Sequence, residues 1–194
     1  MRKFCHILLK LMGYTIDTVN IPQEIKKCVL VFAPHTSLSD FLIGWMALKE
    51  MGVKTTFVMK KEAFFFPVKY IFKAMGAIPI DRQHGAHFPE FAANLINTQE
   101  EIAFLISPEG TRKRVEKWKR GFYKTAQLAN VPLVLGYLDY RSKRGGVGPA
   151  MYISGDYEKD MEKIQPFYFG MHGLNKGQFN LEEKTYAHPE WLKK

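Results

Sequence analysis

What this chain lacks removes several classes of protein. Cysteine occurs only as Cys5 and Cys28, far apart and without the spacing of a thiolate metal site or a disulfide framework. No apolar run approaches the roughly 18–20 residues that a membrane-crossing helix needs, so no segment is expected to span a bilayer. No small-residue cleavage site follows the first apolar stretch, and no signal peptide is expected. There is no G-x-S-x-G nucleophile elbow. His84 and His87 form an H-x-x-H pair without supporting ligands, so a solvated loop is expected there and no metal centre. Acidic residues number 19 against 28 Lys and Arg, giving a formal net charge of +9. That excess suits an anionic partner such as nucleic acid, a membrane surface or an acidic ligand. No recognition-helix or RNA-binding signature accompanies it, which argues against nucleic acid.

What is present is an alternation of strand and helix patterns. The apolar run Cys28–Ala33 reads as a buried strand, ended by Pro34, which has no N–H for a ladder. Phe41, Leu42, Trp45, Met46 and Leu48 then recur at helical spacing, and Gly52 closes that helix. A strand over 54–59, a helix over 68–75 ending at Gly76, a short edge strand holding Pro79, and a helix marked by Phe88, Phe91, Leu95 and Ile96 follow. Next come a strand over 101–106, a helix over 121–129 ended by Asn130, and a strand over 131–140. Residues 141–148, RSKRGGVG, read as a hairpin loop, with the partner strand at 149–154. Asp156 caps a helix to Ile164. Residues 166–194 show little period and receive no assignment. The expectation is a single α/β domain: a mixed, mostly parallel sheet of about six or seven strands with helices on both faces.

Polar residues cluster where strands end, the usual place for a ligand in an open α/β sheet. His35 follows the first strand, with Asp40 about one helical turn on. An imidazole there can take a proton from an alcohol, and a carboxylate on its other nitrogen would orient it. A second reading stays open: Ser37-Leu38-Ser39-Asp40 also matches a capping box, with Asp in place of Glu. Lys60 and Lys61 end the next strand, followed by Phe64, Phe65 and Phe66, which cannot all point one way on a helix. Arg82 leaves the edge strand with a guanidinium suited to phosphate. Glu109, Gly110, Thr111 and Arg112 form a loop with an acceptor, a flexible backbone, a hydroxyl and a cation. From Arg112 to Arg120 six cations face one acid, either a solvated face or a device that steers an anion. At the start of the chain, Phe4, Ile7, Leu8, Leu11 and Met12 make one helical stripe. That stripe fits a membrane interface or packing on its own domain.

Four stretches in order now carry a resemblance: His35–Asp40 as H-x-x-x-x-D, Gly76–Arg82 as G-x-I-x-[IV]-D-R, Glu109–Arg112 as E-G-T-R, and Val131-Pro132 ahead of an apolar strand. Over residues 28–140 the chain resembles the glycerolipid acyltransferases, most of all the 1-acylglycerol-3-phosphate (lysophosphatidic acid) O-acyltransferases, and a glycerol-3-phosphate acyltransferase-like fold is implied. The resemblance implies that His35 and Asp40 deprotonate the acceptor hydroxyl. It implies that Arg82, Glu109, Gly110, Thr111 and Arg112, with Lys60 and Lys61, bind the acceptor phosphate. It implies no cofactor, only a thioester co-substrate, acyl-CoA or acyl carrier protein, and a lysophospholipid acceptor. Phosphatidic acid would be the product, with another lyso-lipid such as a lyso-amino-acid lipid as the alternative acceptor. The helix N-terminus after His35 is expected to offer backbone donors to the oxyanion. Residues 1–20 are expected to form an amphipathic membrane-interface helix and 21–194 the catalytic domain. The protein would sit peripherally on the anionic cytoplasmic face of a membrane, with no nucleic-acid partner.

Overall fold

The structure, a computed structural model, describes residues 1–81 and 87–184. Helix α1 (Arg2–Leu11) leads into the two-residue strand β1 (Thr15–Ile16). Strand β2 (Lys27–Ala33) is followed by α2 (Ser39–Met51), β3 (Thr55–Lys60), α3 (Val68–Met75) and β4 (Ala77–Ile80). Then come α4 (Phe88–Asn97), β5 (Ile102–Ile106), α5 (Gly121–Ala129), β6 (Leu133–Asp139), β7 (Arg144–Met151) and α6 (Tyr157–Phe167). The seven strands lie in the order β1-β7-β6-β2-β5-β3-β4. From β6 to β4 all neighbours pair parallel, while β6 and β7 form an antiparallel hairpin and β1 pairs parallel with β7. The expected mixed, mostly parallel sheet is what forms, and the strand holding Pro79 is its edge.

The central strand explains the layering. Residues 28–33 of β2 are all buried, so successive side chains need cover on both sides. Cys28, Leu30 and Phe32 pack under α1 and α2. Val29, Val31 and Ala33 pack against α4, α5 and α6. Helix α3 covers Phe57 and Ala77 on the first side, with Phe41 and Trp45 of α2. Three helices therefore lie on each face. The helix stops are those the sequence announced: Gly52 and Gly76 take positive φ of 80° and 97°, and Asn130 takes 51°. A Cβ on Gly76 would also lie 2.3 Å from the Thr55 carbonyl oxygen, so only glycine lets α3 turn back into the sheet there.

Two expectations need correction. The stretch 141–148 is not all hairpin loop: β7 begins at Arg144, and its glycines belong to the strand. A Cβ on Gly145 would press on Ile16 and Leu138, and one on Gly148 would enter the Phe167 ring at 2.5 Å. The glycines are there for close packing, not for a turn. The unassigned tail also has a place. Tyr168, Phe179 and Leu181 are buried in the α4–α6 core, and the Tyr168 hydroxyl donates to the Val31 carbonyl at 3.0 Å.

Candidate active site

At the carboxyl end of β2 the chain turns through Pro34 into α2, and this turn holds His35 and Asp40. Both readings of Ser37–Asp40 hold at once. The Ser37 Oγ accepts from the Ser39 and Asp40 N–H groups at 2.9 and 3.3 Å, and the Asp40 Oδ2 accepts from the Ser37 N–H at 2.7 Å. That is the reciprocal pairing of a capping box. The same Oδ2 lies 3.4 Å from the His35 Nδ1 and accepts the Thr36 N–H at 2.5 Å. Oδ1 accepts from the Ser37 hydroxyl at 3.0 Å and from the Tyr140 hydroxyl at 2.7 Å. The carboxyl is fully buried. Burial, the largest single influence, would raise its pKa, but the bonds from His35, Ser37, Tyr140 and Thr36 outweigh it and hold the group below its ordinary range. Burial and the neighbouring Asp40 raise the Tyr140 pKa, which keeps its hydroxyl a donor.

A second carboxyl lies beneath. Glu109 is 2% exposed and accepts the His35 N–H on both oxygens, at 3.1 and 3.2 Å. Burial pushes its pKa up to about 8, the charge of Asp40 adding to the rise and the His35 N–H opposing it. At neutral pH the two acids around His35 thus differ in state, Asp40 ionised and Glu109 protonated. One negative charge, not two, faces the imidazole. The N–H groups of His35, Thr36, Ser37, Ser39 and Asp40 serve the two carboxyls and the Ser37 hydroxyl, so these five are not the oxyanion donors that the sequence suggested.

His35 opens on a cavity of about 1050 Å³. One part is apolar, walled by Phe41, Gly44, Trp45 and Leu48 of α2, Phe57 of β3 and Leu105 of β5. Gly44 lets α2 lie close to the sheet, since a Cβ there would stand 2.8 Å from the Phe32 ring. The rim carries Lys60, Gly110, Thr111, Arg112 and Lys119. Gly110 has φ of 64°, and its missing Cβ leaves room for the Lys119 side chain, whose Cδ would otherwise be 2.9 Å away. Arg120 and Lys124 also reach the wall but are paired with Glu158 and Glu90. A thioester, a hydrocarbon chain and a phosphate could be held here side by side, with an imidazole at their junction.

The structure thus brings His35 and Asp40 together and sets Lys60, Gly110, Thr111 and Arg112 around the same opening. Lys61 stands in the short turn Lys61–Ala63, exposed and away from the lining. Glu109 lies under His35 rather than on the cavity wall. Arg82 and His84 lie outside the described residues. Sequence reasoning missed Tyr140, which reaches Asp40 across a hundred residues, and it saw in Ser37 only a cap. No local pattern marks Tyr140: it is the first residue after β6, a strand that looks like any other.

A family model described as Acyltransferase matches residues 16–135. Among solved structures, the crystal structure of the 1-acyl-sn-glycerophosphate (LPA) acyltransferase PlsC from Thermotoga maritima superposes with a TM-score of 0.59 at 17% identity, covering 84% of this chain and 74% of that one. No curated protein sequence matches the chain significantly.

Proposed function

Since the chain belongs to the Acyltransferase family, we propose that it transfers an acyl group from a thioester of coenzyme A or acyl carrier protein to the free hydroxyl of a lysophospholipid, 1-acylglycerol-3-phosphate first among them. The observation that carries this reading is the His35–Asp40 pair at the mouth of a cavity with an apolar interior and a cationic rim. With Nδ1 turned to Asp40, Nε2 is the nitrogen left for the acceptor. It takes the hydroxyl proton while the oxygen attacks the thioester carbonyl. The C–O bond forms, the C–S bond breaks, and the imidazolium returns its proton to the departing thiolate. Asp40 favours the transient imidazolium and fixes the ring. Glu109 is a positioning residue in this account, holding the His35 backbone from below. Lys60, Arg112 and Thr111 face the acceptor phosphate, and the matching sequence motif assigns Arg82 the same role.

The same reading puts the enzyme at a membrane surface. Among the described residues no helix is long and apolar enough to cross one. In α1, Cys5 and Leu9 are the buried residues, packed toward α2, whereas Phe4, Ile7 and Leu11 face outward. Of the apolar stripe seen in the sequence, Leu8 packs half-buried on the domain while Phe4, Ile7, Leu11 and Met12 point away from it, with Lys3 and Lys10 beside them. Phe65, Phe66, Tyr70 and Ile71, in and before α3, are exposed as well, next to Lys69 and Lys73. Together they fit a peripheral protein resting on anionic lipid on the cytoplasmic side.

The test is thiol release from palmitoyl-coenzyme A in the presence of lysophosphatidic acid, with His35→Ala alongside and palmitoyl-acyl carrier protein as the second donor. Phosphatidic acid should form with one donor or both, and His35→Ala should lower the rate by about 10²–10⁴. Equal turnover by His35→Ala would remove His35 from the chemistry. No turnover with either donor would reject the phosphate-bearing acceptor.

A further inference from the structure

We propose that residues His172–Asn175, far from every motif in the sequence, form a strap that positions the His35–Asp40 pair, with Asn175 as its working contact. The inference rests on the catalytic reading of that pair. Asn175 closes on Thr36, the residue beside His35, from two directions: its Nδ2–H donates to the Thr36 carbonyl at 2.6 Å, and its backbone N–H to the Thr36 hydroxyl at 3.3 Å. Gly173 lies flat against the same residue, since a Cβ there would come within 2.4 Å of the Thr36 side chain. The strap also grips the far side of the pair. The His172 carbonyl accepts the Tyr140 N–H at 2.9 Å, the His172 N–H donates to Asp139 at 2.8 Å, and the Tyr140 hydroxyl holds Asp40.

The physical need for such a strap lies in the turn itself. The Thr36 N–H is bonded to Asp40 and its carbonyl to Asn175, so the peptide planes on both sides of Thr36 are fixed. The His35–Asp40 contact is long, 3.4 Å, and a small rotation of those planes would separate imidazole from carboxylate. Misplacement of a reacting group by about 1 Å can cost roughly 10²-fold in rate. The segment is also anchored on either side of the Asn175 side chain, with Met171 and Phe179 in the α4–α6 core. Phe179 is fully buried, and the Gly177 N–H is held by the Glu182 carboxylate at 3.0 Å.

Two variants and two readouts test this in the full chain. Asn175→Ala removes the side-chain donor, and Asn175→Asp keeps the shape but turns an acceptor toward the Thr36 carbonyl. Both should lower kcat about tenfold and leave KM for donor and lysolipid within about twofold, because only the orientation of the base changes. Hydrogen–deuterium exchange of the peptide spanning residues 34–41 should quicken by about tenfold in both, with the global melting curve kept. A loss confined to KM, or full activity in Asn175→Asp, would overturn the strap. So would unchanged exchange at 34–41. If the wild type transferred no acyl group at all, the reaction assigned above would fall, while the exchange experiment would still decide whether Asn175 holds the turn.

Discussion

On one side of the sheet, α4, α5 and α6 bury a single cluster that runs from Val29 and Phe104 through Phe122 to Ile164 and Phe179. The outer surface there is polar and paired: Lys124 meets Glu90 at 2.7 Å, and Arg120 meets Glu158 while its guanidinium lies 4.3 Å from the centre of the Tyr157 ring. On the other side, α1, α2 and α3 divide their buried residues among three smaller clusters. Their outer surface keeps large apolar groups in the open: Leu11 is 79% exposed and Phe66 76%. The first side pairs charges across its helices and leaves only half-exposed groups such as Phe91 and Leu128 among its large apolar residues on α4 and α5, as a side built for stability does. The second leaves apolar surface that only another apolar phase would cover. The turn that holds His35 and Asp40 belongs to both, since its strand is buried by one side and its helix lies on the other.

Large-to-small substitutions should expose the contrast most strongly. Phe122→Ala, in the continuous core, is expected to cost about 3–5 kcal/mol of stability in a urea melt, whereas Phe66→Ala should change it by no more than about 0.5 kcal/mol. A large loss from Phe66→Ala would mean that its ring is covered by protein. The second side should instead show its purpose on lipid. The double variant Phe65→Ser, Phe66→Ser is expected to lower co-sedimentation with anionic phospholipid vesicles by at least about tenfold while the melt is kept. Unaltered vesicle binding would leave α1 alone as the membrane contact.

A smaller effect should appear between the two sides, at Glu109. Its pKa stands at about 8 in the folded protein against an ordinary 4.5. The fold therefore holds a proton that the unfolded chain gives up at lower pH. The stability tied to that proton is whole below pH 4.5, declines as pH rises, and is gone above about 8. Glu109→Gln keeps a carbonyl for the His35 N–H and carries no proton to lose. Relative to wild type it should gain stability between about pH 5 and pH 8, measured by urea melts at both ends. A difference between the two that stays constant over that range would show Glu109 to be ionised already. The least effect is expected at the exposed Lys124–Glu90 pair, where Glu90→Gln should leave the melting curve unchanged, since such pairs are screened by water.

How much of this was readable in advance follows from the range of each interaction. The strands, the helix stops at Gly52, Gly76 and Asn130, and the edge position of the Pro79 strand are local matters of burial pattern and φ, and so they stood in the sequence. The His35–Asp40 pair could be read for the same reason, because one helical turn brings the two together. The RGGVG stretch misled because glycine signals a turn and a close approach with the same letter. Only the contacts with Ile16, Leu138 and Phe167 show which applies.

By itself, the chain determined a mostly parallel α/β sheet with polar loops at the strand ends, a cationic surplus, and an imidazole with a carboxylate neighbour in one turn. Tertiary structure alone decided that Tyr140 and Asn175 brace that turn, and that Glu109 lies beneath it as a neutral acid. It also decided that Phe4, Ile7, Leu11 and Met12 of the first helix stripe face outward. These depend on groups tens of residues apart meeting in a buried place, where the partners set both geometry and charge, and no spacing along the chain encodes such a meeting.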